Sequence, residues 1–362
     1  MDQRYYIGNN AFEELDSVIL EKEYKRIFIV HGKQSFILSG AQKYISEILE
    51  RHSCETEEFV DYTENPKLED VHKGLNRLKE FGKVDLIVGI GGGSSLDIAK
   101  LIRFFNSFTG NFRENLYKQV KSLIPLITIP TTAGSGSEAT KFAVVYEKNI
   151  KFSVEHPDLL ADYALICPWL TYSNGKYLTA CTGFDALSQA IESFWNLNST
   201  EESEEYAVKA INLIWDTLPS LIERPSNILR DKMAEGAYWA GRAINITKTT
   251  APHAISYPFT TFYGYPHGHA VALFFPEIAS CNLKSSLISK YKKDKLMTLL
   301  DIKDGEIERV LKEYIERLGL SIEQKKYDLD TILSHINLQR LKNNPYKFKE
   351  GDLENLIKKI KG

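Results

Sequence analysis

Residues 236–272, GAYWAGRAINITKTTAPHAISYPFTTFYGYPHGHAVA, hold three of the chain's eight histidines: His253, His267 and His269. Arg242 and Lys248 stand among small residues in the same stretch. Small residues let backbone and ligand approach closely, and imidazoles beside cations suit a metal ion and an anionic substrate. A second stretch, GFDALSQAIESFW at 183–195, places Asp185 and Gln189 four residues apart. On a helix they share one face and can both present oxygen to a metal, although an Asp near a helix start also serves as a cap. One carboxylate, one amide and the imidazoles of His253 and His267 together make an N/O site for a divalent first-row metal, with an open position for substrate. Arg242, Asn245 and Lys248 follow one another at about one turn. Helical spacing puts them on one face, suited to a phosphonate, phosphate or carboxylate, or else to an ordinary solvated surface. His156 lies far upstream and finds no role in the group.

A second kind of chemistry is written further towards the N-terminus. Gly91-Gly92-Gly93-Ser94-Ser95 separates the apolar run VDLIVGI (84–90) from the helical LDIAKLIRFF. A glycine-rich turn between strand and helix exposes backbone N–H groups at a helix start, where they hold a phosphate, or it is simply a tight turn. It lacks the GxGxxG spacing of the usual dinucleotide fold and follows the third strand of the chain. The strand LIPLITIP (123–130) likewise runs into a loop of hydroxyls and glycines, Thr131-Thr132-Ala133-Gly134-Ser135-Gly136-Ser137-Glu138. At the carboxyl edge of a parallel sheet, such a loop lines a ligand crevice.

The elements that must position these residues follow from periodicity. Short apolar runs at 26–31, 84–90, 123–130 and 163–168 predict buried strands, with another at 56–62. Helical spacing at 39–52 and 68–81 alternates with them, which predicts parallel βαβ units with helices on both faces. Residues 142–146 and 151–157 predict a hairpin turning at Glu147-Lys148-Asn149. After Pro168 helical periodicity dominates, in segments 176–195, 203–223, 231–247 and 266–282 and then through the Lys-rich region 283–361. The expected division is an α/β domain over 1–168 and an all-helical domain over 169–362.

The bulk numbers narrow the class. At 362 residues the chain exceeds one ordinary domain. A net charge of −3 gives no basic excess for nucleic acid or membrane surfaces. No apolar run approaches the ~20 residues of a membrane span. Four widely spaced cysteines without a CxxC pair fit a reduced, cytoplasmic protein.

Several separated motifs, in order and over nearly the whole chain, resemble the iron-containing (group III) alcohol dehydrogenases. They are Asn65-Pro66, GGGSSLDIAK (91–100), PTTAGSGSE (130–138), Lys151, GFDALSQAIE (183–192), and the PHA and PHG triplets at 252–254 and 266–268. The resemblance implies an N-terminal nucleotide-binding α/β domain with a parallel sheet and an all-α C-terminal domain that binds metal and substrate. It implies that Gly91, Gly92, Gly93, Ser94 and Ser95 hold a pyrophosphate. Asn65, Asp97, Lys100, Thr131, Thr132, Ser135 and Lys151 would line the rest of the cofactor crevice. The family's metal ligands fall on Asp185, position 189, His253 and His267, for Fe²⁺ or Zn²⁺. Position 189 departs from the family, which has His where this chain has the neutral amide of Gln189. A further family His, one turn after His253, is replaced by Tyr257, so Tyr257 or His269 would have to deliver protons.

Family members that prefer NAD carry an acid after the first strand. The matching place here reads Val30-His31-Gly32-Lys33. With Gly32 in place of the acid and Lys33 beside it, NADPH is expected ahead of NADH. The implied reaction is hydride transfer between nicotinamide and a carbonyl. GFDALSQAIESFWN, AGRAINITKTTAPHAISY and YPHGHAVAL look most like the phosphonoacetaldehyde reductase (2-hydroxyethylphosphonate dehydrogenase) branch. The expected substrate is therefore a small anionic aldehyde or alcohol, held by Arg242, Asn245 and Lys248, in a homo-oligomeric enzyme. The alternatives are a general short-chain alcohol or lactaldehyde dehydrogenase of the same family, and a non-redox dehydroquinate synthase-like cyclase.

Overall fold

A computed structural model describes residues 3–108, 122–148, 150–321 and 327–360. The chain divides into two compact units, Met1–Asn174 and Gly175–Gly362. The first is built on a parallel sheet and the second is helical, the fold class that the sequence implies. No helix among the described residues is long and apolar enough to cross a membrane.

In the first unit the chain runs β1 (Arg4–Ile7), α1 (Glu13–Lys22), β2 (Arg26–His31), α2 (Ser35–Leu38), α3 (Ala41–Arg51), β3 (Glu55–Phe59), α4 (Leu68–Phe81), β4 (Leu86–Gly91) and α5 (Gly93–Phe105). β5 (Leu126–Pro130), the hairpin β6 (Phe142–Glu147) and β7 (Ile150–Glu155), and β8 (Tyr163–Ile166) complete it. Six strands pair in the order β1-β8-β5-β4-β2-β3, every pair parallel. Strand alternation sorts their side chains into two cores. Ile27, Ile29, Val88 and Ile129 pack with α1 and α3 residues such as Leu15 and Ile45. Phe28, Val30, Ile87 and Leu126 pack with α4 and α5 residues such as Val71, Ile98 and Leu101. Both faces are covered, so the central strands read as unbroken apolar runs. β1 and α1 escape a periodicity reading because RYYI is short, half-exposed and pairs only at the sheet edge. The hairpin forms as predicted, with Asn149 of its turn outside the described residues.

The second unit comprises α6 (Lys176–Trp195), α7 (Glu201–Ile214), α8 (Thr217–Glu223), α9 (Asn227–Thr247), α10 (Ala251–Tyr263), α11 (His267–Ala272) and α12 (Phe275–Lys284). It continues with α13 (Lys290–Leu299), α14 (Ile307–Arg317), α15 (Leu329–Ser334), α16 (Leu338–Leu341) and α17 (Glu350–Ile360). α6 is buried along almost its whole length from Thr179 to Trp195. Two segments that periodicity predicts as single helices are broken, and a proline accounts for each break. Pro219 has no N–H to give the Trp215 carbonyl, so α7 stops and the Tyr314 hydroxyl donates to that oxygen at 2.8 Å. Pro276 likewise separates α11 from α12.

Candidate metal centre and dinucleotide edge

The metal candidates begin with α6. Asp185, Gln189 and Glu192 lie at i, i+4 and i+7, one face of the helix, and all three are buried. At the end of α6, Asn196 Nδ2 donates to the carbonyls of Thr247 and Lys248 at 3.2 and 3.1 Å. Trp195 Nε1 donates to Thr250 Oγ1 at 3.0 Å. These bonds pin the turn between α9 and α10 and set the start of α10, which carries His253. The face of α6 and the start of α10 then meet on one imidazole. His253 Nε2 stands 3.2 Å from Asp185 Oδ1, and His253 Nδ1 is hydrogen-bonded to Glu192 Oε1. The second oxygen of Glu192 accepts from Thr250 N at 2.6 Å and Thr250 Oγ1 at 2.9 Å.

His267 is the first residue of α11. Its ring lies 5.2 Å from that of His253, at 77°. α11 comes this close to α6 because position 268 is Gly: a Cβ there would fall 1.9 Å from the Cys181 carbonyl oxygen and 3.0 Å from Asp185 Cβ. The result is that ligand atoms of Asp185, His253 and His267 all lie within 4.8 Å of one another. Two donors on one first-row ion stand roughly 3.0–3.5 Å apart, which is the spacing of Asp185 Oδ1 and His253 Nε2.

The donor set suits a divalent cation. Two imidazoles and a carboxylate are the ligands of many Fe²⁺ and Zn²⁺ sites, and Glu192 on Nδ1 turns His253 Nε2 towards the ion's position. Burial alone pushes the His253 imidazolium down, but Glu192 and Asp185 outweigh it and hold the ring's affinity for positive charge up, at about 9. The pocket therefore favours a cation between these groups. Gln189 lies between Asp185 and Glu192 on the same helix face, so the structure brings all four predicted ligand positions to one region. Glu192 is the residue that spacing alone did not single out. The signal was present: a carboxylate seven residues after Asp185 in an otherwise apolar helix needs a buried partner.

Tyr257 stands one turn after His253, buried, with its ring 5.8 Å from His267. Burial raises its phenol above the usual value, and the Arg340 guanidinium works against that rise. His269 is placed differently. Its Nδ1 pairs with the Tyr177 hydroxyl at 2.9 Å and its Nε2 with the Ser321 carbonyl at 2.9 Å, so both ring nitrogens face groups outside the Asp185–His253–His267 cluster.

The expected common face of Arg242, Asn245 and Lys248 does not form as helical spacing predicts. α9 ends at Thr247, and Lys248 takes φ +66°, leaving the helical path once Asn196 has claimed the last carbonyls. Arg242 donates to the hydroxyls of Tyr238 and Tyr206 at 3.3 and 3.4 Å and lies over the Tyr206 ring. Asn245 is half-buried in the last turn of α9.

In the first unit, Gly32, the Gly91–Ser95 turn and the Thr131–Ser135 loop follow the carboxyl ends of β2, β4 and β5. Gly32 N donates to Ile90 O at 3.3 Å, and Thr131 N to Gly91 O at 2.9 Å, tying the three strand ends together. Gly91 has φ +146°, and a Cβ there would sit 2.2 Å from Ser95 Oγ. Gly92 caps α5, Gly93 opens it, and a Cβ on Gly93 would meet Ser135 Oγ at 2.8 Å. The turn thus packs between Ser95, Thr132 and Ser135 with half-exposed backbone at Gly92, Gly93 and Ser94. Thr131 Oγ1 is buried without a hydrogen-bond partner, a group for a ligand to satisfy. A helix N-terminus behind a glycine turn fits a pyrophosphate. Lys33 is exposed beside Gly32, and Asn65 takes φ +56° in its turn.

Asp97 and Lys100 serve this edge from beneath. Asp97 accepts from Ser137 Oγ at 2.5 Å and Val144 N at 2.9 Å, while Lys100 Nζ donates to the carbonyls of Ser137 (2.8 Å) and Phe142. Both are buried and pin the hairpin that carries Lys151 on β7. Burial pushes Lys100 down to about 8 and the neighbouring Glu138 up to about 7.

The family model for iron-containing alcohol dehydrogenases matches residues 2–168, and the model for the C-terminal part of the Fe-containing alcohol dehydrogenase family matches residues 179–360. Long-chain-alcohol dehydrogenase 1 of Geobacillus thermodenitrificans is 32 % identical over 279 residues, 75 % of this chain and 70 % of that protein. The crystal structure of an iron-containing alcohol dehydrogenase from Thermotoga maritima superposes with a TM-score of 0.87 at 29 % identity, covering 99 % of this chain and 98 % of that one. A sulfoacetaldehyde reductase from Bifidobacterium kashiwanohense, in complex with NAD⁺, shares the fold with a TM-score of 0.86 at 24 % identity, over 100 % of this chain and 97 % of that one.

Proposed function

Because this chain belongs to the iron-containing alcohol dehydrogenase family, oxidoreductases acting on CH–OH groups with NAD(P), we propose that it reduces a small aldehyde bearing an acidic group, specifically phosphonoacetaldehyde to 2-hydroxyethylphosphonate. The observation that carries the metal-dependent part is the convergence of Asp185, His253 and His267 within 4.8 Å, braced by Glu192. The acidic substrate is supported by the 183–196, 240–257 and 265–273 motifs, with Gln189 among them, and by Arg242 and Lys248 shortly before His253 in sequence.

In this reading Asp185, Gln189, His253 and His267 hold the metal, and the Gly91–Ser95 turn with Thr131, Thr132 and Ser135 holds the dinucleotide. A bound ion supplies Lewis acidity towards a carbonyl oxygen, and the nicotinamide supplies hydride. The protein's own groups do the rest. Glu192 fixes the tautomer of His253. Tyr257, kept protonated by burial, holds a proton at its hydroxyl within the space around His267 and can give it to the nascent alkoxide. Net, one hydride and one proton add across the C=O bond, and the reduced nicotinamide becomes oxidised. Gly32 in place of an acid, with Lys33 exposed beside it, favours NADPH over NADH.

The test is steady-state oxidation of NADPH and of NADH with a panel of acidic and neutral aldehydes. A kcat/KM for phosphonoacetaldehyde at least ~10-fold above that for propanal is expected, since a charge-assisted contact is worth about that much. Equal values would reduce the protein to a general short-chain alcohol dehydrogenase. Conversion without net loss of reduced nicotinamide would assign it to the non-redox alternative.

A further inference from the structure

The turn at Gly91–Ser95 has two flanks. Towards β5 it is faced by Thr132 and Ser135: a Cβ on Gly92 would fall 3.7 Å from Thr132 Oγ1, and one on Gly93 2.8 Å from Ser135 Oγ. Towards β2 it is faced by its own Ser95. The Ser95 Oγ lies 2.2 Å from where a Gly91 Cβ would stand and 3.5 Å from where a Gly32 Cβ would stand. The hydroxyl therefore occupies the gap between the ends of the paired strands β4 and β2. The chain beyond β3 reaches the same gap. There it folds back, Tyr62 N donating to Val60 O at 3.0 Å, and the Tyr62 ring packs 6.0 Å from that of Phe59. Thr63 N and Oγ1 both donate to the buried Asp70 carboxylate, at 3.2 and 3.0 Å, which fixes the next residue. So held, the Tyr62 hydroxyl donates to Ser95 Oγ at 2.7 Å.

Two hydroxyls carry two protons and share one hydrogen bond, so the pair keeps one proton to offer. No acceptor for it stands among the described residues. Ser95 is buried, and burial pushes the Tyr62 phenol up to about 12, so at neutral pH the pair is a donor and carries no negative charge. The sign of that offer matters. In a dinucleotide site the pyrophosphate lies at the helix start behind the glycine turn. The adenosine ribose lies at the end of a neighbouring strand, where an acid accepts from the 2′-hydroxyl of NAD. Here that strand end is Gly32. It has no side chain, and none can be added without moving Ser35, whose Oγ lies 2.4 Å from the Cβ position. In place of an acceptor this chain has a donor, and a 2′-phosphate presents acceptor oxygens.

We propose that the Tyr62–Ser95 hydroxyl pair determines cofactor specificity: Ser95, oriented by Tyr62, donates to a phosphate oxygen on the 2′-position of the adenosine ribose. Lys33, exposed beside Gly32, supplies charge, and the hydroxyl pair supplies direction. This rests on the NADPH reading above and names the residues that enforce it. The same donor turned towards a pyrophosphate oxygen would serve NADPH and NADH alike, and the measurement separates the two.

The experiment measures Kd for NADPH and NADH by nicotinamide fluorescence, without turnover, on the full chain as wild type, Tyr62→Phe, Ser95→Ala and the double variant. Calorimetry with 2′,5′-ADP and 5′-AMP, which differ only in the 2′-phosphate, gives the same comparison free of the nicotinamide. The wild type binds NADPH more tightly than NADH, and 2′,5′-ADP more tightly than 5′-AMP. In Ser95→Ala the preference for NADPH over NADH falls about 10-fold, the worth of a hydrogen bond to a charged group, and in Tyr62→Phe it falls about 3- to 10-fold. The double variant falls no further than Ser95→Ala, because the two hydroxyls deliver one donor. If Ser95→Ala does not fold, Tyr62→Phe decides, since it removes one oxygen and keeps the ring packed on Phe59. Equal losses for NADPH and NADH would put the pair on the pyrophosphate, and a preference unchanged in both variants would leave it a packing contact. Either result overturns the inference while the NADPH reading stands. A wild type that binds NADH as tightly as NADPH would remove the NADPH reading and the inference with it.

Discussion

His253 carries two carboxylates on one imidazole, Asp185 at Nε2 and Glu192 at Nδ1. Only the first of these relations could be suspected from spacing, since Asp185 sits in a motif and Glu192 reads as one more polar residue near a helix end. The difference matters in the proposed site, where the fourth metal ligand is an amide. The amide oxygen of Gln189 is a weaker donor than an imidazole nitrogen, so in that site the ordering of His253 by Glu192 bears more of the affinity. Glu192→Gln keeps the shape but can no longer act as a charged acceptor for Nδ1–H. Metal affinity measured by chelator competition is expected to drop about 10- to 100-fold, the usual effect of losing such an outer partner. An affinity unchanged within twofold would mean that Glu192 merely fills the helix interface. Tyr257 and His269 make the complementary point. Both are legible as aromatic or imidazole groups near a histidine motif, yet only Tyr257 is placed beside His267, while His269 turns to Tyr177 and Ser321. Two residues of register on a six-residue helix decide which histidine faces the cluster, and periodicity over so short a span does not resolve it.

Among the elements, the strands were the most readable. Runs such as RIFIVH and VDLIVGI are apolar because both sheet faces are covered, and their order with intervening helices leaves a parallel sheet as the outcome. The helices were harder, because prolines act through carbonyls that lie four residues away. Pro219 and Pro276 split predicted helices, and Pro258 leaves Ala254 O to be filled by Asn337, a residue more than eighty positions later. No local pattern announces that partner. The same long-range logic applies to Gly268, whose missing side chain is what lets α11 lie on α6. Gly268→Ala would drive a methyl into the Cys181 carbonyl, which belongs to backbone and cannot swing aside. The expected result is displacement of His267, a bound-metal content below half an equivalent, and destabilisation of about 1–3 kcal/mol in denaturant unfolding. Full metal content with an unshifted midpoint would show that the two helices do not depend on that contact.

For the molecule as a whole, composition and net charge narrowed the class but were silent on chemistry; the motifs spread over both units identified the family, and their agreement in order along the chain is what composition could not supply. Departures from the family motif, at Gly32, Gln189 and Tyr257, are the places where this chain's cofactor, metal and proton handling would be its own. All three converge on one claim, that an ion held by Asp185, Gln189, His253 and His267 is required for nicotinamide-linked reduction of an acidic aldehyde. The most direct measurement titrates Fe²⁺ or Zn²⁺ into chelator-treated protein and follows NADPH oxidation with phosphonoacetaldehyde, together with the amount of 2-hydroxyethylphosphonate formed. The account predicts activity rising in proportion to bound metal, saturating near one ion per chain, with one alcohol formed for each NADPH consumed. Turnover that is independent of bound metal, or aldehyde loss without matching NADPH oxidation, would contradict it.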